Sequence, residues 1–145
     1  MQTARNYKEG QPGKTLSVII PALNEERGIA KTIQAIPVRE IGQMGYQLQV
    51  VVVDNGSRDR TAEFAAKAGA EVVPEPKRGY GAAFKRGFAS ATGDVIVTMD
   101  ADATYPMEEI PNLLRVLDEE HLDFITTNRF AALDEGSMSL QNRIG

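Results

Sequence analysis

The sequence of 145 residues contains no cysteine and no tryptophan, and it has a single histidine, His121. Without cysteine, disulfides, thiolate catalysis and cysteine metal sites are all excluded, and the redox compartment stays open. Long apolar runs are missing as well, because the longest, Val50 to Val53, is far shorter than the roughly 20 residues of a membrane-spanning helix. The polar segment from Met1 to Lys14 lacks the apolar stretch typical of a signal peptide. His121 lies at a predicted helix end, and we interpret it as structural.

The sequence also carries little net charge. Its 16 basic and 20 acidic residues give −4, which provides no general attraction to nucleic acid or to an anionic membrane. We therefore predict no nucleic-acid partner, and any phosphate binding has to be local. A hydrophobic content of 42% is enough to bury a core, and the length fits one domain on a prior of about 100–200 residues. We predict a flexible tail over residues 1–15 and one domain over residues 16–145.

Short runs rich in β-branched residues alternate with helical patterns of about ten residues along the chain. This alternation predicts an α/β fold with a mostly parallel sheet and helices on both faces, and ligands of such sheets bind outside the carboxyl ends of the strands. Pro37 to Gly45 contains two glycines and is predicted as a connection. The predicted strands are Leu16–Ile20, Leu48–Val53, Glu71–Val73, a buried strand starting at Asp94, and Asp123–Thr127. The predicted helices start near Asn24, Asp59, Gly81 and Pro106.

Two carboxylates, Asp100 and Asp102, follow the fourth of these strands with only Ala101 between them. In extended chain, residues two apart point to the same side, so the two acids can converge on one point. Like charges that close repel, and a shared proton, a basic partner or a divalent cation relieves the repulsion. Mg²⁺ is commonly held by one or two carboxylates together with substrate phosphates. We therefore hypothesise a site for a metal and a diphosphate.

Polar segments follow each predicted strand, so all of them would share one edge of the sheet. Several have an ordinary structural interpretation as well. Asp54 begins a segment that is also a common turn with a helix cap, and Lys77, Arg78 and Arg129 could be solvated surface. The run from Gly79 does not complete a dinucleotide-binding fingerprint. The segments are Pro21–Glu25, Asp54–Ser57, Lys77–Gly81, Asp100–Thr104 and Asn128–Arg129.

These motifs, in this order, resemble the amino-terminal part of a family 2 glycosyltransferase with the GT-A fold. Within that family, the chain is most similar to the polyprenyl-phosphate (dolichol-phosphate type) mannosyl- and glucosyltransferases. The sequence reads Thr127-Asn128-Arg129 where members of that branch usually have Gly-Ser-Arg or Gly-Thr-Arg. The matching segments are Ser17–Glu26, Val51–Thr61, Arg78–Ala83, Met99–Asp102 and Thr127–Phe130.

The resemblance implies a role for each matching residue. Asp102 would be the principal ligand of Mg²⁺ or Mn²⁺, and Asp100 would contact the ribose or the metal. Arg129 would face the phosphates, including that of the acceptor, and Arg143 would be a second such arginine. Asp100, Asp102 and Arg129 would thus form the catalytic set. The residues that would contact the nucleotide-sugar are Pro21, Leu23, Glu25, Asp54, Arg78, Gly79, Asp100 and Ala101.

The resemblance also implies an activity. An inverting, metal-dependent hexosyltransferase would move a hexose from a UDP- or GDP-sugar to an acceptor, for which the resemblance favours a polyprenyl phosphate. It would act in the cytoplasm, or at the cytoplasmic face of the membrane in a longer protein. Family members are longer than this chain, so the sheet could be incomplete, and its edge would then favour self-association. A nucleotide-binding or interaction module without catalysis therefore stays open as the alternative.

Overall fold

The computed structural model describes residues 13–126, which form a parallel sheet and five α-helices. The four strands stand in the order β3-β2-β1-β4. Strand β1 pairs with both β2 and β4, and β2 pairs with β3, in parallel in every case. The strands are β1 (Lys14–Ala22), β2 (Tyr46–Asp54), β3 (Glu71–Pro74) and β4 (Val95–Thr98).

The helices lie between the strands and after the last one. None of those in the described part of the chain is long and apolar enough to cross a membrane. A 3₁₀ turn, Met107–Glu109, directly precedes the last helix. The helices are α1 (Ile29–Gln34), α2 (Val38–Gln43), α3 (Thr61–Lys67), α4 (Tyr80–Ser90) and α5 (Ile110–Glu119).

The order of the strands reverses beside β1. The chain moves outward from β1 to β2 to β3 and then crosses back to β4 on the other side of β1. Because crossovers between parallel strands are right-handed, this reversal places α4 on the opposite face of the sheet from α1, α2 and α3. The predicted α/β sheet with helices on both faces is therefore confirmed. A reversal of this kind opens a crevice between the carboxyl ends of the two strands, here β1 and β4.

The core between the sheet and α4 is built from alternate residues of the strands. Ile19, Val51, Val53 and Val73 are buried there against Ala83, as expected for side chains on one face of a pleated sheet. Gly87 of α4 is also required by this packing, since a Cβ at that position would overlap the side chain of Ile19. The core therefore fixes α4 close to the sheet.

Pro21 is part of β1, although the sequence predicted that it would end the strand. Met99 donates its N–H to the Ile19 carbonyl at 3.0 Å, so the backbone groups of Ile19, and of Pro21 two residues later, face the β4 side. The ladder between β1 and β4 ends at the pair of Ile19 and Thr98. Pro21 thus lies beyond the end of β4, where its missing N–H breaks no ladder bond.

The predicted connection from Pro37 to Gly45 was wrong, because it contains helix α2. Proline is well suited to the start of a helix, since its φ is already close to the helical value and the first N–H groups need no partner. Pro37 is the N-cap of α2, and Glu40 lies in its first turn. Ile41 is fully buried, so a single apolar side chain anchors this short helix.

Two expectations about strands were also wrong. The fourth strand was predicted to be buried, whereas β4 has residues that alternate between half-buried and exposed, and Ile96 is 39% exposed. The fifth strand is absent over residues 123–126, where Phe124 is 79% exposed. A strand needs a ladder partner and a covered face, and β propensity alone supplies neither. Thr127 lies outside the described residues.

The chain divides into two compact units, Met1–Asn112 and Leu113–Gly145. In the described part of the second unit, the end of α5 is closed by hydrogen bonds from the N–H of Glu120 to the Val116 carbonyl and from Leu122 to Leu117, both 3.0 Å. His121 between them has a φ of 53°, which is the left-handed conformation that commonly ends a helix. This position is consistent with a structural histidine.

Candidate functional site

The candidate site lies at the carboxyl edge of the sheet, on the first compact unit. Four loops leave the strands there, over residues 23–28, 55–60, 75–79 and 99–106. The loops after β1 and β4 flank the point where the strand order reverses, which is the usual ligand position in an open α/β sheet. The parallel sheet therefore brings together polar segments that are widely separated in the sequence.

The loops after β1 and β2 are joined by hydrogen bonds in both directions. The N–H of Asn24 donates to Ser57 Oγ at 3.0 Å, and the N–H of Arg58 donates to Asn24 Oδ1 at 2.8 Å. The N–H of Glu25 donates to Thr61 Oγ1 at 2.8 Å. Asn24 has a φ of 55°, a left-handed conformation that asparagine tolerates better than most residues. The two loops therefore form one connected rim.

Asn55 connects the loop after β2 to the loop after β3. Its Nδ2 donates to the carbonyls of Glu75 and Lys77 at 2.9 and 2.8 Å, while its Oδ1 accepts the N–H of Gly79 at 3.0 Å. The Asn55 side chain is almost fully buried, with 5% exposure. Gly79 has a φ of 123° and a ψ of 144°, a region that is essentially restricted to glycine. Asn55 thus connects the loop after β2 to three backbone groups of the loop after β3.

The loop after β4 carries the two acids. The strand ends at Thr98. Asp100 lies two residues later, and residues 101 and 102 form a turn, so the chain between the two acids is not extended as the sequence predicted. Asp102 Oδ1 accepts the N–H and the Oγ1–H of Thr104 at 3.1 and 2.7 Å. Ala103 between them has a φ of 60°. The loop is therefore shaped by a side-chain turn around Asp102.

Helix α1 and the residue before it contact the backbone of this loop. Thr32 is fully buried, and its Oγ1 donates to the Ala101 carbonyl at 3.0 Å. Gly28, just before the helix, lies so close that a Cβ there would be 3.1 Å from the same carbonyl oxygen. Thr32 and Gly28 were not among the residues predicted from the sequence, because nothing local marks a threonine or glycine as a neighbour of a loop 69 residues away.

Asp100 has a partner that the sequence did not predict either. The hydroxyl of Tyr80, in the first turn of α4, donates to Asp100 Oδ1 at 2.5 Å. Asn55 and Tyr80 both belong to motifs recognised in the sequence, Asp54–Ser57 and Gly79–Gly81. Their side-chain contacts, however, depend on the distance between loops that only the folded sheet determines.

The electrostatics of the site are dominated by carboxylates. Burial, and then the negative charges of Asp102, Asp59 and Asp100, raise the pKa of Glu25 above its ordinary value of 4.5. The pKa of Asp59 is lowered instead, mainly because its carboxylate accepts a hydrogen bond from the hydroxyl of Thr61. Both acids of the loop after β4 therefore lie close enough to Glu25 to raise its pKa. Together these carboxylates concentrate negative charge where the strand order reverses.

The raised pKa of Glu25 leads to a prediction about stability. A carboxyl that is harder to ionise in the folded state opposes folding once it is charged. The free energy of unfolding of the wild type, relative to that of a Glu25→Gln variant, should therefore fall as the pH rises from about 4.5 through the raised pKa of Glu25. Below pH 4.5 the difference between the two proteins should be constant. Urea unfolding of both proteins between acid and neutral pH measures this. A difference that does not change with pH would contradict it.

The donor atoms fit a hard divalent cation only in part. Asp100 and Asp102 offer carboxylate oxygens, which Mg²⁺ and Mn²⁺ prefer. Among the described residues there is no group of three acidic, histidine or cysteine side chains that could hold a metal alone. Two carboxylates are sufficient where substrate phosphates and water complete the coordination. The site therefore fits a cation that binds together with a diphosphate.

The structure places most of the predicted site residues at this edge. Leu23, in the loop after β1, is 42% exposed, and Arg78 and Gly79, in the loop after β3, are exposed as well. Asp54 Oδ1 accepts the N–H of Ser57 at 3.0 Å, so its carboxylate also forms the turn. Arg129 and Arg143 lie outside the described residues. The predicted residues found at this edge are Pro21, Leu23, Glu25, Asp54, Arg78, Gly79, Asp100, Ala101 and Asp102.

Comparison with known proteins gives one family. The model of glycosyl transferase family 2 matches residues 17–142. An uncharacterized glycosyltransferase of Mycobacterium tuberculosis is 38% identical over 117 residues, which are 81% of this chain and 50% of the relative. The undecaprenyl-phosphate 4-deoxy-4-formamido-L-arabinose transferase of Pectobacterium carotovorum is 38% identical over 110 residues, 70% of this chain and 33% of the relative. The chain thus spans half or less of these relatives.

A solved structure shows the same fold. Glucosyl-3-phosphoglycerate synthase from Mycobacterium tuberculosis, in complex with Mn²⁺, UDP and phosphoglyceric acid, superposes with a TM-score of 0.62 and 32% identity. The match covers 72% of this chain and 39% of that chain. The same synthase has also been crystallised with Mg²⁺ and UDP. The predicted GT-A fold is therefore confirmed.

Proposed function

The chain belongs to glycosyl transferase family 2, and from this premise we propose that it binds a UDP-sugar at the carboxyl edge of its sheet and transfers the hexose to a phosphate-bearing acceptor. The observation that carries the proposal is the position of Asp100 and Asp102. Both lie in the loop after β4, at the reversal of the strand order, and both influence the pKa of Glu25 in the loop after β1. A nucleoside diphosphate placed across these two loops would meet the acids with its phosphates.

The donor would lie along the connected rim. We assign the nucleobase to Leu23, Glu25 and the end of β1 at Pro21, and the ribose or base edge to Asp54. Arg78 and Gly79 would flank the nucleotide from the loop after β3. UDP is chosen over GDP because the solved relative was crystallised with UDP. The rim suits this role, since its loops are held together by hydrogen bonds before any ligand binds, and a preformed site loses less entropy on binding.

Asp102 would be the main ligand of Mg²⁺ or Mn²⁺, with Asp100 shared between the metal and the ribose. When bound, the cation would neutralise charge on the leaving diphosphate. The turn formed with Thr104 holds one oxygen of Asp102 and so limits the directions in which the carboxylate can point. The predicted metal dependence also fits the negative charges that raise the pKa of Glu25, which a cation would offset.

For the acceptor we propose a polyprenyl phosphate. The Pectobacterium relative is named for transfer to undecaprenyl phosphate, and the resemblance assigns Arg129 and Arg143 to the acceptor phosphate. A hydroxyl acceptor would need a general base to remove its proton, whereas a phosphate is already an anion and requires only positioning. Attack from the face opposite the diphosphate would invert the anomeric carbon. Arg129 would belong to the catalytic set through its contact with the phosphates.

Binding and transfer are tested separately. Calorimetric titration of the chain with UDP and with GDP, each with and without Mn²⁺, should show UDP binding that strengthens with the metal. If neither nucleotide binds, the donor site is refuted. Transfer is then measured with UDP-glucose and either undecaprenyl phosphate or phosphoglyceric acid. Product from the lipid supports the acceptor assignment, and product from phosphoglyceric acid alone overturns it. Binding without transfer to either would identify a nucleotide-binding module.

A further inference from the structure

The hydroxyl of Tyr80 reaches across from α4 to the loop after β4. It donates to Asp100 Oδ1 at 2.5 Å, over a separation of 20 residues. We propose that Tyr80 is a positioning residue, which holds the Asp100 carboxylate in the direction needed for the metal and the diphosphate. This inference rests on the proposed function, because it assumes that Asp100 faces the donor.

The backbone of Tyr80 is fixed from one side by Asn55. The Asn55 side chain accepts the N–H of Gly79 at 3.0 Å, and Gly79 is the N-cap of α4 with a φ of 123°. Tyr80 is the first residue of the helix after it. The backbone position of Tyr80 is therefore set by the buried amide of Asn55 and by the backbone conformation of Gly79, which only glycine readily adopts.

The ring of Tyr80 is fixed from another side by α4 itself. The ring packs in an edge-to-face pair with Phe84, one turn later, with centroids 4.6 Å apart and planes at 80°. Edge-to-face pairs of this kind are the favoured arrangement of two aromatic rings. Phe84 in turn packs against the core cluster of Ile19 and Val51. The hydroxyl thus has a defined position even though Tyr80 is 60% exposed.

The two acids are positioned by different means. Asp102 is held by Thr104, two residues away, within its own turn. Asp100 is held by a residue of another element, so its orientation depends on how α4 sits on the sheet. The phenol of Tyr80 is a hydroxyl donor that carries no positive charge. It can orient Asp100 without cancelling the negative charge that a cation needs, which a lysine or arginine would do.

Removal of the hydroxyl alone tests the proposal. In the full chain, Tyr80→Phe keeps the ring pair with Phe84 and removes only the donor. Because partners of metal ligands typically contribute 10–100-fold to metal affinity, we expect about a tenfold weaker affinity for UDP in the presence of Mn²⁺. Affinity for UDP without the metal should fall by a smaller factor, because Asp100 then contributes only through the ribose. A residue with only a structural role would weaken both affinities by the same factor, or neither.

A double-mutant cycle makes the test specific. If Tyr80 acts through Asp100, adding Tyr80→Phe to Asp100→Asn should cost no further Mn²⁺-dependent affinity, whereas independent effects would add. Tyr46→Phe is the matched control, because Tyr46 begins β2 at the opposite edge of the sheet. It should bind UDP and Mn²⁺ like the wild type.

The outcomes separate this inference from the function on which it rests. If the wild type binds UDP with Mn²⁺ and Tyr80→Phe binds equally well, the positioning role is refuted while the donor site stands. Tighter binding by Tyr80→Phe would also refute the role, because it would show that the hydroxyl competes with the ligand for Asp100. If the wild type does not bind UDP at all, the proposed function is refuted, and the inference about Tyr80 is refuted with it.

Discussion

Replacing Asp102 with alanine is expected to remove the Mn²⁺-dependent part of UDP binding. Since even outer partners of a metal ligand contribute 10–100-fold, loss of the principal ligand should weaken UDP affinity in the presence of Mn²⁺ by at least about 100-fold. UDP affinity measured without the metal should change little. Calorimetric titration of both proteins, with and without Mn²⁺, measures the two affinities.

Two further variants distinguish loss of the ligand from damage to the loop. Asp102→Asn keeps an oxygen that can accept the hydrogen bonds of Thr104, which lie at 3.1 and 2.7 Å, but removes the charge. It should lose metal-dependent binding as Asp102→Ala does. Asp94→Asn makes the same exchange at the other end of β4, where the exposed Asp94 accepts the N–H of Thr15, and should bind normally. Metal-dependent binding that survives in both Asp102 variants would refute the assignment of the metal to Asp102.

Replacing Asn55 with aspartate is expected to destabilise the fold by about 3–5 kcal/mol, comparable to leaving an unpaired charge in a buried position. The Asn55 amide donates to the carbonyls of Glu75 and Lys77 at 2.9 and 2.8 Å. An aspartate would present oxygen to both carbonyls, so two donors would be lost and a buried charge would face two acceptors. Such a loss is a large fraction of the roughly 5–15 kcal/mol by which domains are stable.

Urea unfolding measures the change. Gln43→Glu is the matched control, because it makes the same amide-to-carboxylate exchange at an exposed position of α2 and should alter the free energy of unfolding by less than about 0.5 kcal/mol. If both variants unfold at the same urea concentration as the wild type, the Asn55 amide does not support the rim. Any Asn55→Asp protein that remains folded should also bind UDP more weakly, since Gly79 and Tyr80 depend on the same amide.

The fold could be predicted from the sequence where local pattern and tertiary environment agree. The strands β1 and β2 are central and rich in β-branched residues, and most of β1 and the segment Val51–Val53 of β2 are buried, so their sequences alone identified them. Helix α2 was missed because a single buried side chain, Ile41, anchors it, which leaves no periodic pattern to detect. The strand predicted at residues 123–126 failed for the opposite reason, since β propensity was present without a neighbour in the described structure.

For the candidate site, the sequence identified the two acids but not the geometry that brings them to the other loops. Asp100 and Asp102 were found because acidic residues rarely follow an apolar strand without a function, and the family resemblance then connected them to a nucleotide. The argument that extended chain points both acids to one side was wrong, because the chain turns at residues 101 and 102. Their nearness to Glu25 instead comes from the adjacency of β1 and β4, through which charge raises the pKa of Glu25.

The sequence by itself therefore determined where the four strands of the sheet lie, the polar loops that follow them and the residue types of the site. These properties depend on neighbours in the chain, on the alternation of apolar residues and on the turn-forming residues at strand ends. Only the tertiary structure decided which loops meet. The reversal of strand order beside β1 brings the loop of Asp100 to α4 and to Thr32 of α1. Hydrogen bonds such as that between Tyr80 and Asp100 exist because strands distant in sequence pair side by side, a relation that no local pattern encodes.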